Sequence, residues 1–383
     1  MASHPGAMIS NFSSVPYVSA NLPSDIINDI FARLPVKSLA RFMCVSKSMY
    51  ALLHNQKFIK KHLERAIRID PNLILRTDFK LFAVDNEGWS KARKLQVPFS
   101  LSLDKVEISG SYHGLLCISD QRCNEDIYLF NPSTGVYRKL PPPEFDVPTI
   151  ESTCFTSLGF GFHRAENDYK VIRSIFLYDK PFENIDSYQC EARIYSLSTD
   201  KWKKIGAVPF HISTRAAVCF DDQIFIWKAS RGFGRRMSIL VVAFDMDKEE
   251  FKEVPKPELR DPASCQIEVG VMKEYFSMFH MWRGERVEIW AMKEFGVKES
   301  WTKMFVIGPQ MMIDPCYIFL RPLCMKKNGE ILIEKGEGKL VMYAPEDEIV
   351  NEFTAIRRAP RWFSLYTYVG SLVSPFTNGA ESA

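Results

Sequence analysis

Residues 127–141, IYLFNPSTGVYRKLP, contain the pattern that decides the fold of most of this chain. A short apolar run ends at the aromatic residue Phe130, and a turn-forming segment follows from Asn131 to Gly135. A second short run then leads to Pro141. Proline and glycine lie where a tight turn favours them, so this stretch predicts two antiparallel strands joined by a turn.

The same unit recurs in degenerate form along the sequence. The aromatic residues that end its first run are Phe82, Phe130, Tyr195, Phe244, Trp290 and Tyr343. The intervals between them are 48, 65, 49, 46 and 53 residues. Four-stranded propeller blades span roughly 40–50 residues, so the spacing predicts about six blades. The 65-residue interval requires an insertion, which we expect near residues 179–188.

Turns and chain closure also favour a propeller. Asn328-Gly329 and Asp221-Asp222 each lie between two apolar runs and predict two-residue hairpins. We expect the C-terminal run 366–369 to pair with the first strands after residue 72, because this pairing removes free sheet edges. A two-sheet sandwich is the rival architecture, but a region of about 300 residues is long for one.

Residues 22–69 have a helical pattern instead. Ile26, Ile30 and Leu34 share one helix face, and Pro35 ends that helix. Two more apolar stripes and a basic segment follow, so the sequence predicts three short helices before Asp70-Pro71. Helices this short cannot bury all their apolar surface among themselves. Either a partner protein covers the remainder, or the helices pack on the rest of the chain, and the pattern leaves both open.

Composition excludes several classes of function. The 383 residues include 46% apolar and 25% charged residues, as in ordinary globular proteins. A net charge of +3 is too small to favour nucleic acid or an anionic membrane as the main partner. No apolar run approaches the roughly 18 residues of a membrane span. The first 20 residues lack the pattern of a secretory signal peptide.

Cysteine and histidine usage predicts a protein without a metal or cofactor. The nine cysteines are odd in number and include no Cys-x-x-Cys pair, and the seven histidines are scattered. We interpret the cysteines as small buried hydrophobic residues of a protein in a reducing compartment, the cytoplasm and/or the nucleus.

Sequence motifs for catalysis are weak. The chain contains neither a Gly-x-Ser-x-Gly motif nor a Walker phosphate loop. Gly159-Phe160-Gly161 lacks a third glycine and indicates tight strand packing, and His113 opens a strand, so we expect it to be structural. A propeller enzyme is a distant alternative.

Two regions carry a resemblance to a known family. Residues 22–39, LPSDIINDIFARLPVKSL, with 41–47, RFMCVSK, resemble a plant-type F-box motif up to about residue 63. Met49 departs from the motif, which usually has tryptophan there, so we expect a weakened core. Most of the remainder resembles the F-box-associated domain, which is similar to kelch-type propellers; the resembling stretches are 130–141, 159–162, 167–171, 195–202, 289–301 and 368–372. S-locus F-box proteins and F-box regulators of immune receptors share this pattern.

The resemblance implies an α+β multidomain chain, in which a three-helix F-box precedes an all-β, kelch-like propeller. The expected domains are a flexible tail at 1–20, the F-box at 21–69, the propeller at 72–375 and a flexible tail at 376–383. Such a chain would be a non-catalytic substrate receptor of a Skp–cullin–F-box ubiquitin ligase, recruiting a target protein for ubiquitination and proteasomal degradation. A scaffold that acts outside a ligase is the alternative.

The resemblance also implies which residues bind partners. The adaptor-facing residues are Leu22, Pro23, Ile26, Ile30, Leu34, Pro35, Val36, Leu39 and Val45, with Lys37 and Lys47 as a polar rim. We expect Phe31 and Phe42 to pack inside the motif. Specificity for the target would lie in propeller loops, for which the candidates are residues 180–187, 230–237 and 310–316. Within the second of these, Arg231, Arg235 and Arg236 could bind an acidic partner, although a solvated turn is the simpler interpretation.

Overall fold

Four helices precede the β-strands in the computed structural model. The described residues are 23–77, 80–86, 89–97, 106–120, 126–145, 154–178, 188–214, 216–231, 238–258, 265–282, 285–308, 320–336, 339–352, 356–360 and 363–376. The predicted tail at 1–20 and nearly all of the tail at 376–383 lie outside them. The helices are α1 (Ser24–Phe31), α2 (Val36–Met43), α3 (Lys47–Leu53) and α4 (Gln56–Ala66). The sequence predicted three, and the basic segment that follows them forms the fourth.

Local chemistry explains where each helix begins. Prolines precede α1 and α2, and the fixed φ of proline suits the entry into a helix. The Ser46 hydroxyl accepts a hydrogen bond from the Met49 amide at 3.2 Å, which caps α3. The Asn55 side chain accepts one from the Lys57 amide at 2.9 Å, which caps α4.

The described strands form six antiparallel sheets, each one blade of a propeller. Blade 1 contains β1 (Asn72–Arg76), β2 (Leu81–Val84) and β3 (Ala92–Lys94). Blade 2 contains β4 (Val106–Tyr112), β5 (Leu115–Asp120), β6 (Ile127–Phe130) and β7 (Tyr137–Lys139). Blade 3 contains β8 (Cys154–His163), β9 (Asp168–Tyr178), β10 (Tyr188–Ser196) and β11 (Lys201–Gly206). Blade 4 contains β12 (His211–Ile212), β13 (Val218–Phe220), β14 (Ile224–Arg231), β15 (Ser238–Asp245) and β16 (Glu250–Glu253). Blade 5 contains β17 (Cys265–Met272), β18 (Tyr275–Trp282), β19 (Arg286–Met292) and β20 (Trp301–Ile307). Blade 6 contains β21 (Leu320–Met325), β22 (Ile331–Lys335), β23 (Lys339–Ala344) and β24 (Ile349–Glu352).

The predicted closure of the ring is confirmed. The last strand, β25 (Ser364–Tyr368), pairs antiparallel with β1, with Tyr366 opposite Ile74, and becomes the first strand of blade 1. The first strands of neighbouring blades contact one another around the axis, in the order β25, β4, β8, β13, β17, β21 and back to β25. Chain ends that pair in this way leave no unpaired gap in the ring.

The aromatic repeat marks the same place in every blade. All six anchor residues lie on the third strand of their blade, on β2, β6, β10, β15, β19 and β23. Strands β8 to β10 are longer than most, which accounts for part of the 65-residue interval. The expected insertion falls between β9 and β10, where residues 179–187 are outside the described part of the chain. Both predicted hairpins form, but their loops are longer than the two residues predicted, since Ile224 lies opposite Phe220 and Ile331 lies opposite Met325. Positive φ occurs at Asp221, Asp222 and Gly329.

The core is divided among the spaces between blades. Six clusters of buried residues form, one for each pair of neighbouring blades. Successive side chains on a strand point to opposite faces, so Ile224 packs toward blade 5 while Phe225 packs toward blade 3. Gly159 lies where an added Cβ would be 2.8 Å from Ile172, which confirms its expected packing role.

The helices rest on one end of the propeller. Their buried residues, such as Leu39 and Phe58, belong to the same cluster as the core between blades 2 and 3 and as Leu372 and Val373 of the C-terminal segment. This contact is made at the end where first strands turn into second strands and third strands into fourth strands, which we name the helical end. The opposite end, which carries the second-to-third-strand loops and the connections between blades, is named the open end.

A buried asparagine joins the C-terminal segment to the repeat. The Asn131 side-chain amide donates hydrogen bonds to the Ser371 carbonyl at 3.0 Å and to the Val373 carbonyl at 2.8 Å. Its carbonyl oxygen accepts from the Ser133 amide at 2.8 Å, within the NPSTG turn. Asn131 therefore fastens the chain end beneath the helices with its hydrogen-bonding groups satisfied.

Candidate partner-binding surface

Part of the helical domain exposes apolar side chains that no other described part of the chain covers. Ile26 and Ile30 are each 46% exposed on α1, and Val45 is 71% exposed in the link between α2 and α3. Residues four apart share one helix face, so the two isoleucines form a single apolar strip. We name Ile26, Ile30 and Val45 the outer strip. Of the two alternatives left open by the sequence, packing on the rest of the chain occurs for one face of the helices. The other face is exposed, and its coverage by a partner protein stays a prediction.

An ion-pair cluster holds α1 against α4. Asp29 on α1 pairs with Arg33 at 2.7 Å, with Lys61 at 3.3 Å and with Arg65. The Arg65 side chain also donates to the Asp29 carbonyl at 3.0 Å. Hydrogen bonds from Arg33 and Arg65 hold the pKa of the Asp29 carboxyl well below its usual range. This cluster orients α1 so that its isoleucines face outward.

A buried histidine fixes the turn between α1 and α2. His62 on α4 donates from Nε2 to the Leu34 carbonyl at 3.0 Å, and only 4% of the residue is exposed. Burial lowers the pKa of His62, so its ring is neutral at pH 7. With the proton on Nε2, the Nδ1 atom is an acceptor, and it has no hydrogen-bond partner among the described residues.

The structure divides the residues predicted to face the adaptor. Those that are exposed are Pro23, Ile26, Ile30, Pro35, Lys37, Val45 and Lys47, while Leu34 is half-buried. Val36 and Leu39 do not face outward and correct the expectation, because their three-residue spacing puts both on the inner face of α2. They support the surface from beneath. Leu22 lies outside the described residues. The binding role of this set stays a prediction.

Aromatic residues add to the surface in a way that the sequence did not reveal. Phe31 packs against the core as expected, and its ring lies 4.8 Å from that of Phe42, which is partly exposed. Tyr50 is 47% exposed and stacks on His54 at 3.9 Å. The exposure of Tyr50 could have been predicted from the sequence, because this large aromatic residue does not belong to the apolar stripe of α3.

A cleft separates α2 from the propeller. It has a volume of about 720 Å³ and lies between the α1–α2 turn, the first half of α2, the end of α4 and the turns of blades 1 and 2. Leu34, Pro35 and Lys37 line this cleft, so these predicted adaptor contacts face the propeller. We name it the interdomain cleft.

The described strands that flank the three predicted specificity loops meet those loops at the open end of the propeller. In the chain, residues 180–187 follow β9 and precede β10, 230–237 join β14 to β15, and 310–316 lie between blade 5 and blade 6. Arg231 pairs with Glu253 at 3.1 Å, so its charge is partly neutralised. Residues 180–187, 232–237 and 310–316, which include Arg235 and Arg236, lie outside the described residues.

Charged pairs bridge the blades near the open end. Arg321 of β21 donates to Glu334 of β22 at 2.6 Å and to the Leu365 carbonyl of blade 1, while the Leu365 amide donates to Glu334 at 3.2 Å. Arg76 of β1 pairs with Glu107 of blade 2 at 2.8 Å. These contacts tie the closing strand to both of its neighbours and stiffen the frame that carries the loops.

His113, the histidine considered above as a possible catalytic residue, has a structural partner. It forms a hydrogen bond with the Tyr169 hydroxyl at 3.1 Å, and burial lowers its pKa to about 4.

No group of three or more His, Cys, Asp or Glu side chains that could hold a metal occurs within the described residues. Among the cysteines described, Cys117 and Cys265 are buried as expected, whereas Cys44 is exposed on the helical domain. In the same residues no helix is both long and apolar enough to cross a membrane.

A four-helix domain seated on a six-blade propeller, with an uncovered apolar strip, defines a class of two-domain binding proteins. Comparison with known families narrows this class. Residues 72–375 match the F-box associated beta propeller domain, and residues 20–61 match the F-box domain. The chain therefore belongs to the F-box proteins that carry an F-box-associated propeller.

Similar proteins from Arabidopsis thaliana support this assignment. The chain is 30% identical to F-box protein CPR1, over 92% of this chain and 89% of that protein. It is 30% identical to F-box protein At3g07870, over 92% of this chain and 91% of that protein. It is 26% identical to F-box/kelch-repeat protein At3g23880, over 84% of this chain and 87% of that protein. The expected fold class and family are thus confirmed.

Proposed function

We propose that this chain is the substrate-receptor subunit of a Skp–cullin–F-box ubiquitin ligase. The F-box helices bind a Skp-type adaptor, and the adaptor connects the chain to a cullin. The propeller recruits a target protein for ubiquitination and proteasomal degradation. The chain works in the cytoplasm and/or the nucleus and supplies no catalytic group of its own.

The observation that carries the proposal is the separation of two surfaces on one frame. The outer strip lies on helices at the helical end of the propeller, whereas the three candidate loops leave strands at the open end. Strands such as β1, of five residues, and β9, of eleven, separate the two ends, with lengths of about 17 and 36 Å at 3.3 Å per residue. A target held at the open end is therefore kept clear of the adaptor.

Positioning supplies the chemistry. Tethering a target near a charged ubiquitin-conjugating enzyme makes transfer effectively intramolecular, at an effective concentration on the order of millimolar. A fixed orientation lowers the barrier further. Six inter-blade cores and the ion pairs around the closing strand favour a rigid frame, which this role requires.

A capture experiment in plant cells tests the proposal. Tagged full-length chain and its Ile26→Asp/Ile30→Asp variant are expressed with the proteasome inhibited, and Ile349→Asp is the matched control because Ile349 is also half-exposed but lies on blade 6. We expect the original chain and the control to capture adaptor, cullin and ubiquitinated target. The outer-strip variant should capture the target without adaptor or cullin. Capture of adaptor without cullin would favour a scaffold outside a ligase, and equal capture of adaptor by all three chains would contradict the proposal.

A further inference from the structure

The interdomain cleft has the size and lining of a ligand site. Its volume of about 720 Å³ falls within the range of about 300–1,000 Å³ that is usual for small-molecule sites. Both domains contribute to it, and its cationic side chains are Arg33, Lys37, Arg41 and Arg65 from the helices and Arg93 from β3. The acidic side chains in the lining are Asp70 and Asp85.

Three of these cations lack a counter-ion. Arg33 and Arg65 are paired with Asp29, as described above. In the part of the chain that the structure describes, Lys37, Arg41 and Arg93 form no ion pair. Lys37 and Arg41 are four residues apart on α2, so they share one helix face. Arg93 contributes a positive charge to the same cleft from the propeller.

The first turn of α2 adds hydrogen-bond donors. Pro35, Val36, Lys37 and Ser38 all line the cleft, and Pro35 gives the helix no side-chain cap. Pro35 has no N–H, and the Ser38 amide already donates to the Pro35 carbonyl at 2.9 Å. The amides left to bind a ligand are those of Val36 and Lys37, and such amides favour anions together with the helix dipole.

We propose that the interdomain cleft binds a phosphorylated small molecule, with its phosphate at Lys37, Arg41, Arg93 and the start of α2. Apolar residues of the lining, among them Ala40 and Ile69, receive its organic part. The ligand contacts both domains at once and therefore fixes the F-box helices relative to the propeller. This site is separate from the outer strip, although it shares Lys37 with the residues predicted to face the adaptor.

Calorimetric titration of the full-length chain tests the site, with inorganic phosphate, pyrophosphate and tripolyphosphate as probes. We expect saturable binding that tightens with probe charge. Arg93→Ala and the pair Lys37→Ala/Arg41→Ala should each weaken pyrophosphate binding by about tenfold or more, the usual effect of losing a charged hydrogen bond.

Matched controls separate a site from general charge attraction. Lys94→Ala removes an exposed cation from the same strand as Arg93, and Lys60→Ala removes one from α4, and neither residue lines the cleft. Binding by both control variants should stay within twofold of the original chain. Absence of saturable binding, or an equal loss in the controls and the cleft variants, would overturn the proposal. All five positions tested are exposed, so circular dichroism and melting temperature should be unchanged.

Discussion

Replacing the two isoleucines of the outer strip should separate adaptor binding from folding. Complete burial of an isoleucine side chain is worth about 1.5–3 kcal/mol. Ile26 and Ile30 are each 46% exposed, so roughly half of that remains to be gained on docking, on the order of 1 kcal/mol each. The variant Ile26→Ala/Ile30→Ala should therefore weaken adaptor binding by about 2 kcal/mol, which is roughly 30-fold in Kd.

Aspartate at the same positions should have a larger effect. In addition to the lost apolar contact, docking would bury two unpaired carboxylates, and each costs at least another 1 kcal/mol. The total is on the order of 4 kcal/mol, or about a thousandfold in Kd. Because about half of each side chain is already buried in the free chain, the same arithmetic gives a loss of roughly 1 kcal/mol in the free energy of unfolding per substitution, about half of the expected loss in binding.

Biolayer interferometry with purified Skp-type adaptor measures these affinities, and urea denaturation measures stability. Ile349→Asp provides an equally exposed isoleucine away from the helices and should bind normally. Leu39→Ala removes a fully buried side chain and should reduce stability by about 2–5 kcal/mol. The reasoning is refuted if the aspartate variant is folded and binds the adaptor as tightly as the original chain.

Three further substitutions test how the propeller is held together. Asn131→Ala leaves two buried carbonyls of the C-terminal segment without donors and should lower stability by about 2–4 kcal/mol in urea denaturation. Arg321→Met leaves the buried Glu334 carboxylate without its partner and should lower the free energy of unfolding by about 3–5 kcal/mol. The double variant Arg321→Met/Glu334→Leu should restore most of this loss. A double variant as unstable as the single one would contradict this account. His280 is fully buried and has no hydrogen-bond partner among the described residues, and burial lowers its pKa from 6.5 to about 4. Between these pH values the unfolded chain binds a proton at His280 that the folded chain does not, so the free energy of unfolding falls as the pH drops from about 6.5 to about 4. The variant His280→Leu should therefore lose less stability between pH 7 and pH 5 than the original chain, by on the order of 2 kcal/mol.

Much of the architecture could be predicted from the sequence, because its units repeat and depend on residues that are close together in the chain. An aromatic residue at the third strand of each blade recurs wherever the same inter-blade space has to be filled, so Phe130 and Phe244 predicted the blade period. Turns such as Asn328-Gly329 depend on their own backbone preferences, and closure followed from the need to pair the last strand. The apolar stripe of α1 likewise predicted that the helices carry more apolar surface than they can bury alone.

Contacts between distant parts of the chain decided the rest. Which apolar residues remain exposed depends on how α2 meets the C-terminal segment, so Val36 and Leu39 turned inward although the motif implied an outward role. The link from Asn131 to Ser371 spans 240 residues, and the interdomain cleft exists only where the two domains meet. A helix or strand pattern reports which side chains share a face, because that depends on the period of the backbone. What lies opposite that face is a property of tertiary packing, and no local pattern contains it.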